Sequence, residues 1–128
     1  DRDAHEDTLE ILRECASADQ RIVFHCYSGD AAMAQRLAEH GWYASFAGPV
    51  TYPANSDLRA ALAVLPRELV LVETDAPYLT PVPWRGCPNA SYVMAHTVRF
   101  IAELWGVSEA AACDQLRANT EAVYGSWW

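Results

Sequence analysis

The residue pattern predicts an α/β fold built on a parallel sheet, and three observations carry that prediction. Short apolar, β-rich runs recur at 22–24, 42–48 and 68–74. Helical patterns separate them, so strand and helix alternate at intervals of about 20 to 30 residues, as βαβ units do. Parallel strands need such crossovers, whereas antiparallel ones could be joined by tight turns. No linker or low-complexity segment divides the 128 residues, which are read as a single domain, 1–128.

Each element has a local reason. "HEDTLEILRECASA" places Leu9, Leu12 and Cys15 or Ala16 at helical spacing, with acids in the first turn where they complement the helix dipole. "RIVFHCYSGD" supplies a strand from Ile22 to Phe24 that ends at His25 and opens into a Ser28-Gly29-Asp30 turn. The next helix runs from Ala31 to His40 and stops at Gly41, a residue suited to the left-handed C-terminal position. "WYASFAG" is a second strand. "PVTYPANS" is a loop whose Ser56 is expected to cap a helix from Asp57 to Leu65. Pro66 ends that helix, and "ELVLVET" is the third strand. Pro77, Pro81, Pro83, Pro88 and Gly86 then crowd one stretch, which predicts a long loop. Two helices close the chain, about Tyr92 to Trp105 and Ser108 to Val123, with Gly106 between them and Ser108 as a cap.

Composition narrows the function. Hydrophobic residues make up 52% of the chain, enough for a core, and the net charge of −8 disfavours a surface that binds duplexes by broad phosphate neutralisation. Acidity is compatible with a pocket that holds divalent cations. All nine basic residues are arginine; compositional bias of the source is the simple explanation, and recognition of phosphate by the guanidinium fork is the alternative. Cys15, Cys26, Cys87 and Cys113 form no C-x-x-C pair, which predicts reduced thiols rather than a structural zinc site. With no apolar run of membrane-spanning length and no secretory leader pattern, a cytoplasmic protein is expected.

In parallel α/β sheets ligands gather beyond the carboxyl ends of the strands. His25 and Asp75 fall at two such ends. An imidazole and a carboxylate suit a divalent metal ion, and such an ion generates a nucleophile from water at neutral pH. A structural, hydrogen-bonded His25 is the competing reading. Glu73 and Asp75, two residues apart, would share one face of a continuing strand. Either Asp75 caps the following turn and Glu73 pairs with an arginine, or Asp75 is a metal ligand and general base with Glu73 in support.

Five blocks, "HCYSGD" at 25–30, "YASFAGPVTY" at 43–52, "ETDAPYLTP" at 73–81, "RGCPN" at 85–89 and "ANTEAVYG" at 118–125, resemble the successive signatures of the TatD family of metal-dependent deoxyribonucleases. The resemblance covers essentially the whole chain. It implies a TIM (β/α)8 barrel, of which this chain would be a partial one: roughly strands 6–8 with flanking helices and two C-terminal helices. It also implies divalent metal ions (Mg2+, Mn2+ or Zn2+) and hydrolysis of phosphodiester bonds, with DNA or another phosphodiester as substrate. Position by position, His25 matches a metal-binding histidine, and Asp75 matches an aspartate that binds metal and orients or deprotonates the attacking water. Glu73 lies beside it in the signature as a supporting residue.

The departures are informative as well. The family's His-x-His on the first strand, its bridging glutamate after the fourth and its histidine on the fifth have no counterpart here. "DRDAHEDTLEIL" looks like the helix after the fifth strand, with Arg2 and Ala4 fitting its motif and His5 at a helix-surface position. The chain is therefore expected to be the C-terminal half of the enzyme, inactive alone, with exposed strand edges prone to self-association. A non-catalytic fragment pairing with a partner half-barrel, and a related hydrolase cutting C–N or ester bonds, are the competing readings. Arg85 is a candidate for contacting a substrate phosphate, against a loop-anchoring salt bridge. Trp84 could stack on a base, against packing over the barrel mouth. Cys26 is expected between strand and helix without a catalytic role, and His40 and His96 are expected to be structural.

Overall fold

The computed structural model describes Asp1 and residues 3–126. Arg2, expected with Ala4 to fit a family motif, lies outside the described residues, as do Trp127 and Trp128. Among the described residues, five α-helices pack with a parallel sheet of three strands that lie side by side in chain order.

Helix α1 (His5–Cys15) carries Glu6 and Asp7 in its first turn and Arg13 in its last, and buries Leu9 against the core. Strand β1 (Val23–Phe24) is only two residues long. Helix α2 (Ala31–His40) ends at the expected Gly41, and Asp30, expected only as part of a turn, caps its start. The Asp30 carboxylate accepts from the Met33 amide at 2.9 Å, and Gly41 takes φ 68°, where a side chain would be strained. Met33, Ala34 and Leu37 form its buried face. Strand β2 (Tyr43–Phe46) pairs with both neighbours: Val23 opposite Tyr43 and Phe24 opposite Ala44 on one side, Ser45 opposite Leu71 and Phe46 opposite Val72 on the other. Ser45 and Ala47 at its end are small and buried.

Two expectations need correcting. Ser56 does not cap helix α3 (Ser56–Val64); it is the first helical residue, Asn55 precedes it, and no side chain caps that end. The Asn55 amide is directed elsewhere, donating to the Pro49 carbonyl at 3.0 Å. The third strand is also shorter than the apolar run. After Pro66 the chain forms a 3-10 turn at Arg67–Leu69, and β3 covers only Val70–Val72.

Helix α4 (Met94–Trp105) follows a 3-10 turn at Ser91–Val93 and ends at Gly106 with φ 64°. Helix α5 (Glu109–Tyr124) is capped by the Ser108 hydroxyl, which accepts from the Ala111 amide at 3.2 Å. Its buried Asn119 donates to the carbonyls of Arg67 and Val70, both at 2.7 Å, and so ties the helix to the entry of β3. The core joins Leu37, Phe46, Leu62, Val70, Ile101 and Leu116 between sheet and helices. No described helix is long and apolar enough to cross a membrane, and none of the four cysteines forms a disulfide.

Candidate metal centre

Two strand exits build the site. Beyond Phe24 the backbone turns sharply, with Cys26 at φ 47°. Beyond Val72 the Glu73 amide still donates to the Phe46 carbonyl at 3.1 Å, which holds Glu73 at the rim of the sheet. Its carboxylate reaches across to the other exit. Oε2 accepts from His25 Nδ1 at 2.8 Å and from the Cys26 amide at 3.2 Å. An ionised carboxylate can only accept in such a contact, so Nδ1 carries a proton, and in the neutral imidazole it is Nε2 that holds the lone pair for a ligand. The other carboxylate oxygen, Oε1, is buried and has no hydrogen-bond partner among the described residues. An orphaned buried acceptor is costly, and a cation is one way to satisfy it.

Asp75 completes the cluster. One donor atom from each of His25, Glu73 and Asp75 lies within 4.8 Å of the others. The route differs from the expected one: β3 ends at Val72, so strand alternation does not bring Glu73 and Asp75 together. Asp75 instead adopts φ 54°, in the left-handed region that aspartate tolerates better than most residues. Nor does Glu73 pair with an arginine; its partners are His25 and Cys26. One imidazole and two carboxylates form a donor set that fits a divalent ion.

The loop that carries Asp75 is fastened along its length. Asn89, 7% exposed, donates through Nδ2 to the carbonyls of Thr74 (2.7 Å) and Tyr78 (2.6 Å). The Thr51 hydroxyl accepts from the Val82 amide, the Tyr52 hydroxyl donates to the Thr80 carbonyl, and the Thr80 hydroxyl donates to that of Cys87. Leu79, itself at φ 57°, passes so close to Gly48 that a Cβ there would lie 1.9 Å from the Leu79 carbonyl oxygen.

His25 and Asp75 open into a cleft of about 810 Å³ whose walls include Ser28, Asp30, Asn55 and Asp57. The His25 side chain is 70% exposed and that of Glu73, behind it, only 16%. Tyr27, at the edge, donates to the Asp30 carbonyl at 2.8 Å, and burial, with the Asp30 charge nearby, pushes its hydroxyl well above the usual tyrosine range. The remaining candidates lie elsewhere. Arg85 does not line this cleft; its guanidinium sits 4.3 Å from the centre of the Tyr52 ring, a cation–π contact in place of the alternative salt bridge. Trp84 donates to His96 Nε2 at 3.0 Å, which ties the loop to α4 and gives His96 a structural partner. His40 stacks on Trp42 at 4.4 Å, and His5 pairs with Asp1.

Sequence reasoning missed Asn89 and Gly48. The signal for Gly48 is a glycine directly after a strand and before Pro49; Asn89 stood in a quoted block, but its partners 11 and 15 residues away are invisible to spacing.

A sequence model of the family described as TatD related DNase matches residues 1–125. An uncharacterized metal-dependent hydrolase, TatD of Mycobacterium tuberculosis, is 40% identical over 127 residues, covering 99% of this chain and 48% of its own length. The metal-dependent hydrolase YcfH of Escherichia coli K12, also uncharacterized, is 43% identical over 107 residues, covering 84% and 40%. The crystal structure of YJJV, a TatD homologue from E. coli K12, superposes with a TM-score of 0.88 at 27% identity, over 98% of this chain and 48% of that one. The chain thus spans about half the length of the curated relatives it matches. With a family match over nearly all its residues and relatives at this level of identity, the chain belongs to the TatD related DNase family.

Proposed function

We propose that the chain supplies part of the active centre of a metal-dependent hydrolase that cleaves phosphodiester bonds, DNA being the substrate class. The observation that carries the reading is the convergence of His25, Glu73 and Asp75, with Nδ1 of His25 committed to Glu73 and Oε1 of Glu73 left without a partner. His25 and Asp75 would hold the ion, with Mg2+, Mn2+ or Zn2+ compatible with these donors. When bound, the ion supplies Lewis-acid polarisation of a phosphoryl oxygen and lowers the pKa of water.

The chain's own residues do the rest. Glu73 fixes the His25 tautomer and ring orientation, the task of a carboxylate behind a ligating histidine. Asp75 has a carboxylate oxygen to accept a proton from water as general base, held in place by its left-handed turn. The acidic walls at Asp30 and Asp57 repel a polyanion that arrives without cations, so productive binding depends on the metal. In this reading the complete centre belongs to a closed (β/α)8 barrel whose remaining ligands come from strands outside these residues, and the 128-residue chain alone is inactive.

The test is hydrolysis of a labelled single-stranded oligonucleotide, beside an amide and a carboxylic ester, with Mg2+ or Mn2+. It compares this chain, a protein extended upstream to the length of the relatives, and the extended protein with Asp75→Ala. Oligonucleotide cleavage by the extended protein alone, lost with Asp75→Ala, is expected. Turnover of the amide or ester instead, or cleavage that survives Asp75→Ala, overturns the proposal.

A further inference from the structure

We propose that Asn89 is a positioning residue for the metal centre, setting the backbone conformation of Asp75 from outside the cleft. This rests on the reading of Asp75 as a ligand. The φ angle of Asp75 is the rotation of its backbone relative to the preceding peptide group, and that group includes the Thr74 carbonyl. Asn89 Nδ2 donates to this carbonyl at 2.7 Å and, from the same nitrogen, to the Tyr78 carbonyl at 2.6 Å. Between the two anchor points lies the turn of Asp75, closed by the Tyr78 amide donating to the Asp75 carbonyl at 3.0 Å.

Asn89 is itself immobilised. Its amide N–H donates to the Pro77 carbonyl at 3.0 Å, and its Oδ1 accepts from the Ala90 amide at 2.9 Å. Both side-chain donor hydrogens are committed, and the residue is buried. An aspartate at 89 would turn a second acceptor toward two carbonyl oxygens, and leucine would fill the volume while leaving both carbonyls unpaired. In either case the peptide before Asp75 is free to rotate, and the left-handed conformation, intrinsically uphill for a residue with a Cβ, loses its restraint.

A residue that only stabilises the loop would behave differently, and Thr80 provides the comparison. It is buried in the same loop, and its hydroxyl bonds the Cys87 carbonyl at 2.6 Å, away from the Asp75 turn. The experiment titrates Mn2+ calorimetrically into the extended protein carrying Asn89→Leu, Asn89→Asp or Thr80→Val, and follows hydrogen exchange at the Tyr78 amide. The expected result is a Kd for Mn2+ raised about tenfold or more in both Asn89 variants, with faster Tyr78 exchange, and an unchanged Kd in Thr80→Val. A wild-type Kd in the Asn89 variants, or equal weakening by Thr80→Val, overturns the positioning role and leaves the metal reading standing. Absence of Mn2+ binding by the wild-type protein overturns both.

Discussion

Replacing Glu73 with glutamine keeps the side-chain volume and one acceptor oxygen while removing the charge. That oxygen can take the place of Oε2 and still accept from His25 Nδ1 and the Cys26 amide, at 2.8 and 3.2 Å in the native fold. Two charge-assisted bonds become neutral ones, each weaker by about 1 kcal/mol, and the His25 contribution is smaller because 70% of that side chain faces water. At the same time an unpaired buried anionic oxygen becomes an unpaired neutral amide, an opposing change. Stability without metal should therefore move by no more than about 1 kcal/mol. The metal-linked part behaves otherwise. Mn2+ at a hundred times its Kd stabilises a native state by about 2.7 kcal/mol. Loss of the carboxylate behind a ligating histidine weakens binding about 10- to 100-fold, which leaves about 1.4 to 0.4 kcal/mol at the same Mn2+ concentration. At about 2 to 4 °C per kcal/mol for the extended protein, which is about twice the length of this chain, the Mn2+-induced rise in Tm should shrink by about 3 to 9 °C. Thermal melts of the two extended proteins, with and without Mn2+, measure this directly. An undiminished rise in the glutamine variant would refute the argument that Glu73 serves the ion through His25 and its own unmet oxygen.

Two further substitutions probe the scaffold. Gly48→Ala would place a Cβ 1.9 Å from the Leu79 carbonyl oxygen and 2.8 Å from the Pro81 nitrogen, so the loop must retreat by at least about 1.1 Å to reach 3.0 Å. A loss of about 1 to 3 kcal/mol in urea denaturation is expected, and a change within about 0.5 kcal/mol would show that the loop yields freely. Tyr27→Phe tests the buried hydroxyl. Its folded pKa is raised, so its contribution to stability is complete below the unfolded value of about 10 and is lost as pH climbs above it, where the unfolded chain ionises first. The stability gap between wild type and Tyr27→Phe should therefore narrow between pH 8 and pH 11, and a gap independent of pH would contradict the burial argument.

Helix α2 was legible nearly to the residue because its signals are local: the Ser28-Gly29-Asp30 turn before it and the glycine that ends it act within a few residues of where they are written. The alternation of strands and helices was legible for the same reason, since burial imposes the period. Strand β3 was overextended because Glu68 and Leu69 read as strand-formers while Pro66 directs them into a 3-10 turn. Ser56 was misread because the Asn55 side chain turns back to Pro49, and nothing local announces that. At the site, Glu73 and Asp75 were found together for a reason that fails, since a left-handed turn and not a strand face unites them. The partner of His25 lies 48 residues away, a separation no spacing rule spans, and it was the gathering of ligands at strand ends, and then the family resemblance, that placed the two in one centre. Arg85 was judged by its charge, whereas the nearby Tyr52 ring decides where it rests.

The order β1-β2-β3 places a strand without any of the three candidate ligands directly between the two exits that supply them. Ser45 stands opposite Leu71, so by the alternation of an extended chain Ser45 and Ala47 face the same side as Glu73, and on the other side the Ser45 carbonyl accepts from the Tyr27 amide, two residues past His25, at 2.9 Å. The bond from His25 to Glu73 spans that middle strand, whose end carries two small buried side chains, Ser45 and Ala47. Positions 45 and 47 are thus under a size limit imposed by a contact in which neither takes part. Along a lineage, drift there toward bulky residues would part the two halves of the centre while every ligand stayed in place.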